Sequence, residues 1–341
     1  MTAASRPATI LEVARLAGVS KTSVSRYYSG ERERLSATMQ ERISAAAEQV
    51  GYHPNPLARS LKGGPSGLVG MLVADIRNPF SVAIMHGLEQ ACRQAGLSLM
   101  VCNSDNDPDQ ERQQLAMMSS WRIEGLVVNA AGCHSDALRQ FVTSGTPVVL
   151  LDRSLADVQV DEVGLDNTAA IDMAIDHLVA QGYSRLLYVT EPPAQASSRQ
   201  ARLARFESRC AGQGLDATIL CTELHDQQAL DQRLGALAPV VSHARPAILC
   251  ANGQVTLAVA HRMRALDLRS GEIGLIGIDE LDWCGLTEPG ITTLAQPTDA
   301  IGQAAIDCLR TRQHDRSADR QYRAFAPQLI QRGSTQPPAS H

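Results

Sequence analysis

The sequence predicts two kinds of structure in one chain. The first is an N-terminal all-α head of the helix-turn-helix type with a short hinge helix, and the second is a larger α/β core with parallel strands. In the head, residues 9–28 carry two short helical patterns separated by Gly18. From Gly67 onward, short apolar runs alternate with helical stretches, which is typical of βαβ units. A length of 341 residues leaves room for two or three compact units.

The composition predicts an ordinary globular protein of the cytoplasm. Apolar residues make up 44 % and charged residues 20 % of the chain. The sequence contains no run of about 18 apolar residues, which a membrane-spanning helix would need. The N-terminus lacks the apolar segment of about 7–15 residues that a secretion signal needs. The eight cysteines are scattered without a C-x-x-C pair, so neither a disulfide framework nor a metal site is expected.

The charge is distributed unevenly along the chain. The first 62 residues hold nine Lys and Arg against five Asp and Glu, whereas the remainder holds 22 basic against 31 acidic residues. A basic head on an acidic body suggests that only the head approaches a polyanion.

The helix-turn-helix is predicted from its caps and its turn. Thr9 and Glu12 form a capping box at the start of the first helix, and Gly18 allows a sharp turn after it. Ser20 can cap the second helix. In this motif the second helix lies in the major groove of DNA and presents its N-terminal residues to the base edges.

Three side chains of the second helix are predicted to point outward. Lys21 and Arg26 can donate to guanine or to phosphate, and Thr22 can meet a base edge or a thymine methyl. On an isolated helix, the same three residues would simply be a solvated face. The surrounding motif favours the DNA-binding interpretation.

A third helix and a hinge complete the head. The third helix is predicted over Ala37–Val50, with Gly51 ending it. Pro56 can then open a short helix over residues 57–62. So short a helix is marginal alone in water, and we expect it to form only with a supporting partner.

Seven strands and the helices between them are expected in the core, and ligands in such sheets bind beyond the carboxyl ends of the strands. The sequence shows no glycine-rich nucleotide motif, zinc-protease motif or nucleophile elbow, so no cofactor, catalytic residue or enzyme activity is predicted. The predicted strands are 69–76, 97–103, 125–131, 147–152, 185–190, 246–252 and 273–279, the predicted helices include 81–95, 109–120, 168–181 and 255–265, and the polar strand ends are Asp75, Asn103, Asp152, Asn252 and Asp279.

The head resembles the N-terminal signature of the LacI family of bacterial regulators, through TILEVARLAGVSKTSVSRYYSG and LSATMQERISAAAEQVGYHPNPLARSL. The resemblance implies that two hinge helices of a dimer pair in the minor groove and that Leu61 wedges between base steps. The loop SGERERL, residues 29–35, is one residue longer than the usual family loop and more charged. The DNA contacts predicted on this basis are Thr9, Ser20, Lys21, Thr22, Ser23, Arg26, Asn55, Ala58 and Leu61.

The core resembles the effector-binding core of the same family, which is similar to periplasmic sugar-binding proteins. The resemblance implies two Rossmann-like lobes joined by three crossovers, with lobe one at 65–162 and 293–322 and lobe two at 163–292 and 323–334. It departs from the family pattern at Arg205, where the family has Gly, and at Gly253, where an Asp is missing. The effector contacts carried over by motif are Phe80, Ser81, Asp152, Arg153, Ser198, Arg202, Asn252 and Asp279.

Several of these residues also have plain structural interpretations. Asp75 and Asp166 could cap helices or tie loops, and Phe80 could belong to the core. Arg202 is harder to explain in this way, because a charged side chain in a cleft is unfavourable unless it is paired.

The sequence therefore predicts a DNA-binding transcription regulator, with a helix-turn-helix domain at 1–54, a hinge and linker at 55–64, the two-lobed domain at 65–334 and a disordered tail at 335–341. Expected partners are a pseudo-palindromic operator, a second copy of the chain and a small sugar or sugar acid that releases DNA. Two arginines in one cleft favour an acid, and resemblance to the branch that represses 2-ketogluconate utilisation makes 2-ketogluconate the first candidate. The alternatives are a co-repressed regulator, a solute-binding protein and a sugar-modifying enzyme.

Overall fold

The computed structural model describes residues 8–29, 31–52, 66–129, 135–155, 158–237 and 244–336. The chain divides into two compact units, Met1–Ser66 and Gly67–His341. The predicted combination of a helical head and an α/β core is confirmed. Within the described ranges, no helix is both long enough and apolar enough to cross a membrane.

The head is a bundle of three helices around a small apolar core. Gly18 takes a left-handed conformation, with φ of 61°, and its carbonyl accepts a hydrogen bond from Arg42 Nη2 at 3.2 Å. Side chains other than glycine rarely adopt this left-handed conformation, so the turn favours glycine. The helices are α1 (Ile10–Ala17), α2 (Lys21–Tyr28) and α3 (Ala37–Val50), with a 3₁₀ turn at Arg32–Arg34. The buried residues between them are Val13, Ala14, Ala17, Val24, Leu35, Ile43, Ala46 and Ala47.

The first lobe of the core is a six-stranded parallel sheet in the order β11-β5-β4-β3-β1-β2. Helices cover both faces of this sheet, and its central strands β1, β3 and β4 are apolar because they are buried on both sides. Its strands are β1 (Leu68–Val73), β2 (Ser98–Asn103), β3 (Gly125–Asn129), β4 (Val148–Leu151), β5 (Asp161–Leu165) and β11 (Tyr322–Phe325), and its helices are α4 (Pro79–Gln94), α5 (Pro108–Ser120), α6 (Ser135–Ser144) and α11 (Thr298–His314).

The second lobe repeats this architecture in the order β12-β10-β9-β8-β6-β7. All its strand pairs are parallel except the pair of the edge strand β12 with β10. Its strands are β6 (Tyr183–Thr190), β7 (Asp216–Cys221), β8 (Arg245–Cys250), β9 (Gly274–Ile278), β10 (Thr292–Ala295) and β12 (Gln328–Ile330), and its helices are α7 (Asn167–Ala180), α8 (Ser197–Gln213), α9 (Gln227–Gly235) and α10 (Gly253–Ala265).

The chain changes lobe three times, each time a few residues later than expected. Strand β5 and strand β11 both belong to the first sheet, and β10 belongs to the second. The C-terminal strand expected near 323–334 is in fact two short strands, β11 and β12, which lie in different sheets. The two sheets are built from similar apolar strands, so an apolar run does not show to which sheet its strand belongs. This explains why the lobe boundaries are shifted.

The C-terminal segment stays packed further than expected. Ser334 and Thr335 are fully buried in a 3₁₀ turn, and the Thr335 hydroxyl hydrogen-bonds to Thr292 Oγ1 at 2.7 Å. A disordered tail beginning at residue 335 therefore starts too early, because those polar side chains find buried partners. Residues 337–341, and the predicted hinge helix at 57–62, lie outside the described residues.

Candidate functional site

The second helix of the head presents the polar face that the sequence predicts. Lys21, Thr22 and Arg26 are exposed, while Val24 on the opposite side is buried. Arg26 lies near Glu31, with 3.9 Å between Nε and the carboxylate. The exposed face therefore has donors at the start and in the middle of α2, as base-edge recognition requires.

The remaining predicted DNA contacts of the head have local partners. Thr9 Oγ1 accepts a hydrogen bond from the backbone N–H of Glu12, and Ser20 Oγ accepts one from the backbone N–H of Ser23. The Ser20 and Ser23 hydroxyls also lie 2.9 Å apart. These three side chains therefore fix the two helix starts. Asn55, Ala58 and Leu61 lie outside the described residues.

A polar cleft lies between the two lobes of the core, beyond the carboxyl ends of the parallel strands. Its empty volume is about 760 Å³, including the solvent at its mouth. All eight residues predicted to contact an effector line it, together with other residues outside that set of eight. The predicted lining residues are Phe80, Ser81, Asp152, Arg153, Ser198, Arg202, Asn252 and Asp279, and further lining residues include Asp75, Asn129, Glu191, Arg199 and Gln296.

Arg202 is the most buried cation of the cleft, with 3 % of the residue exposed. It projects from the second turn of α8, where its Nε donates to Asn167 Oδ1 at 2.6 Å and its Nη1 donates to the Ala251 carbonyl at 2.7 Å. Its Nη2 makes no hydrogen bond and lies 3.9 Å from Asp152 Oδ1, which has no hydrogen-bond partner either. One donor and one acceptor are thus buried side by side and unsatisfied.

Direct hydrogen bonds cross the cleft from the segment after β4 to the start of α8. Arg153 Nη1 donates to Ser198 Oγ at 3.1 Å, and the backbone N–H of Ser154 donates to Ser197 Oγ at 2.9 Å. Arg153 Nη1 also lies 3.5 Å from Asp152 Oδ2. These contacts join the two lobes beside the buried Arg202.

Asp279 follows β9 and lines the second-lobe side of the cleft. Its Oδ2 accepts from the backbone N–H of Gly253 at 3.0 Å and its Oδ1 accepts from Gln296 Nε2 at 2.6 Å. Burial raises the pKa of Asp279, against the opposing influence of Arg202 and these hydrogen bonds. Gln296 Oε1 is buried without a hydrogen-bond partner. Gly253 packs against the Leu281 side chain, and a Cβ at position 253 would force that side chain to shift.

An ion pair that sequence reasoning missed forms part of the second-lobe wall. Arg199 Nη2 lies 2.8 Å from Glu191 Oε2, which also accepts a hydrogen bond from Asn252 Nδ2 at 2.8 Å. Asn252 in turn caps α10 by accepting from the backbone N–H of Val255 at 2.9 Å. Glu191 directly follows the predicted strand 185–190, and this position at a strand end is the one sequence feature that could have indicated a place in the cleft.

The structure also answers the plain structural interpretations. Asp166 caps α7, accepting from the backbone N–H of Ala169 at 2.9 Å, and Asp75 ties its loop by pairing with Arg77 at 2.9 Å. Phe80 does both things expected of it, because it lines the cleft and packs on the first-lobe core. Asn103 is the one polar strand end outside the cleft lining, and it accepts a hydrogen bond from the backbone N–H of Ile76.

The departure at Arg205 has a clear structural basis. Its guanidinium makes two hydrogen bonds with the Asp172 carboxylate, at 2.8 and 2.6 Å, which link α8 to α7.

Within the described part of the chain, no three His, Cys, Asp or Glu side chains are grouped to hold a metal ion.

Two family models match this architecture. Residues 9–55 match the bacterial regulatory proteins of the lacI family, and residues 66–323 match the periplasmic binding proteins and sugar binding domain of the LacI family. The chain belongs to the LacI family. It is a DNA-binding transcriptional regulator and not an enzyme, as the sequence predicts.

Two curated LacI-family relatives are similar over most of their length. The transcriptional regulator PtxS of Pseudomonas aeruginosa is 46 % identical over 332 residues, covering 96 % of both chains. The transcriptional regulator KdgR of Bacillus subtilis is 37 % identical over 302 residues, covering 88 % of this chain and 89 % of its own. Among solved structures, the lac repressor dimer bound to operator and an anti-inducer has the same fold, with a TM-score of 0.83, 23 % identity and coverage of 97 % and 99 %.

Proposed function

We propose that this LacI-family protein is a dimeric repressor that a small sugar or sugar acid, with 2-ketogluconate as the first candidate, releases from a pseudo-palindromic operator in the cytoplasm. The observation that carries the proposal is a group of unsatisfied atoms. Five buried side-chain nitrogen or oxygen atoms of the described residues lack a hydrogen-bond partner, and three of them belong to residues that line the cleft. Buried polar groups without partners are uncommon, so three such atoms in one cleft favour this cleft as a ligand-binding site.

The three atoms favour a ligand with hydroxyl groups. Arg202 Nη2 is a donor, while Asp152 Oδ1 and Gln296 Oε1 are acceptors. A hydroxyl oxygen about 2.8 Å from both Nη2 and Oδ1 would accept from the first and donate to the second. The distance of 3.9 Å between those two atoms fits such a bridge. A second hydroxyl would donate to Gln296, so the cleft suits a polyhydroxylated molecule.

The arginines favour an acid among such molecules. Arg153, Arg199 and Arg202 all line the cleft, and a guanidinium can donate two parallel hydrogen bonds to a carboxylate. Arg153 and Arg202 both lie near Asp152, which balances part of their charge. The choice of 2-ketogluconate rests on the resemblance of the chain to the branch that represses its utilisation.

We propose that the basic head approaches the phosphates of the operator. Lys21, Thr22 and Arg26 are the proposed base-reading residues of α2, and the hinge residues Asn55, Ala58 and Leu61 remain proposals from family resemblance. A hinge helix of six residues needs a partner helix, which is the reason for proposing a dimer.

A DNA-release titration tests this proposal. A labelled duplex, selected from a random pool by the protein itself, is bound and then titrated with 2-ketogluconate, gluconate, glucose and ribose. We expect release by 2-ketogluconate at the lowest concentration and weaker release by the neutral sugars. Release by none of the four, together with no thermal shift, would overturn the proposed effector class.

The second function to be tested is co-repression. The contact between Arg153 and Ser198 joins the two lobes, so a ligand that added to such contacts could favour the DNA-binding arrangement. In the same titration, tighter DNA binding on addition of the sugar acid would establish that mode of control.

A further inference from the structure

Glu31 lies against the recognition helix α2, in the charged loop that is longer than usual in the family. Its backbone N–H donates to the Arg26 carbonyl at 3.2 Å. Its carboxylate lies 3.9 Å from Arg26 Nε and 3.0 Å from Arg34 Nη1. One carboxylate is therefore shared by two arginines, and one of these is on the face proposed to read DNA.

The loop that carries Glu31 is held on two helices. Arg32 places its guanidinium 4.2 Å from the centre of the Tyr27 ring, and its Nε donates to the Tyr27 carbonyl at 3.0 Å. From α3, Gln40 Nε2 donates to the carbonyls of Arg32 and Leu35, at 2.8 and 3.0 Å. The loop is thus fixed to α2 on one side and to α3 on the other, which keeps the carboxylate beside Arg26.

Arg26 is oriented by this neighbour but is still available. Within the described residues its guanidinium donates no hydrogen bond, and its side chain is 45 % exposed. An exposed ion pair at 3.9 Å is weak, so it gives way to a guanine that accepts two well-aligned hydrogen bonds. A random duplex offers Arg26 mainly phosphates, and the Glu31 carboxylate repels phosphates.

We propose that Glu31 is a specificity-determining residue for DNA. Its carboxylate restrains Arg26 and Arg34 and opposes phosphate contacts, so it weakens binding to random DNA more than binding to the operator. This inference rests on the proposed role of Arg26 in reading DNA.

Glu31→Gln tests the inference because it removes the charge and keeps the shape. Glu33→Gln is the matched control, since Glu33 is exposed in the 3₁₀ turn that follows Glu31 and lies outside this ion-pair network. Both variants and the wild type are titrated, over a range of salt concentrations, with the selected duplex and with a random-sequence duplex of the same length.

We expect Glu31→Gln to tighten binding to the random duplex about three- to fivefold, the range of a lost exposed ion pair. The slope of log Kd against log salt should steepen by about 1, because one more phosphate contact forms. Affinity for the selected duplex should change less, so that discrimination falls. Glu33→Gln should change both affinities equally and leave the slope unchanged. Equal behaviour of the two variants would overturn the inference.

Arg26→Ala separates failure of the inference from failure of the function on which it rests. If Arg26→Ala weakens the selected duplex while Glu31→Gln matches Glu33→Gln, only the role of Glu31 is wrong. If Arg26→Ala changes neither affinity, the proposed reading of DNA by Arg26 is wrong. In the double variant, we expect the Glu31→Gln gain on random DNA to fall by about half or more, because Arg34 alone is then released.

Discussion

At the scale of single residues, Arg202 is held at the base of the cleft by hydrogen bonds from its Nε and Nη1, and its Nη2 has no hydrogen-bond partner. Arg202→Lys keeps the charge but loses the planar fork, so hydrogen bonds to Asn167 or Ala251 cannot coexist with ligand contact. We expect effector affinity to fall about 10- to 100-fold, the range for a lost hydrogen bond to a charged group. Calorimetry measures this, with Arg209→Lys on the same helix as control. Equal affinities would contradict the assignment of the cleft.

A second residue-scale prediction concerns the buried His177. Its Nε2 shares a hydrogen bond with Thr335 Oγ1 at 2.8 Å, and burial lowers the pKa of His177. The unfolded chain therefore takes up a proton before the folded chain does, and stability should fall as pH drops below about 6.5. Denaturant unfolding between pH 8 and pH 5 should show a larger loss of stability for wild type than for His177→Gln. Parallel profiles would show that His177 does not contribute.

Residues that line the cleft were predictable from sequence where they follow strands, and less so where they lie on helices. Asp152, Asn252 and Asp279 end apolar runs, and the ends of parallel strands meet at one edge. Arg199 and Gln296 carry no such signal, because their place in the cleft depends on how α8 and the crossover after β10 are set in three dimensions. Arg199 pairs with Glu191 and Gln296 donates to Asp279, and in both pairs the partner follows a different strand of the second sheet.

At the scale of elements, the lengths of helices were predictable where the sequence has capping residues at both ends. The bounds of α3 match because Ser36 and Gly51 cap its two ends. The packing of α4 on α11 was not predictable, although both helices contribute to one apolar core of the first lobe. It depends on Gly87 and Gly302, where an added side chain would meet the backbone of the other helix. A close approach of this kind has no periodic pattern.

Helix α10 provides the element-scale prediction, because Asn252 both caps it and binds Glu191. Asn252→Ala should lower the free energy of unfolding by about 0.5–2 kcal/mol, since the cap is lost. Asn252→Ser keeps a capping oxygen but loses the amide donor, so stability should stay near that of wild type while effector affinity falls. Thermal unfolding and calorimetry on both variants check this. Equal destabilisation by Ser and Ala would show that the cap is not what Asn252 contributes.

At the scale of the whole molecule, the regulator is expected to act as a dimer through its hinge helices. Leu61→Gly should leave effector affinity unchanged and weaken operator binding, because the proposed minor-groove wedge is lost. Binding to a full pseudo-palindromic site and to a half-site is compared by gel shift. A monomer that binds a half-site as tightly as the full site would rule out this mode of assembly.

The central claim is that an effector in the cleft and DNA on the head are coupled. Calorimetric titration of 2-ketogluconate into the protein, with and without saturating operator duplex, measures that coupling directly. We predict that operator weakens effector binding about 5- to 150-fold, and that the effector weakens operator binding by the same factor, as linkage requires. Effector binding of equal affinity with and without operator would contradict the account.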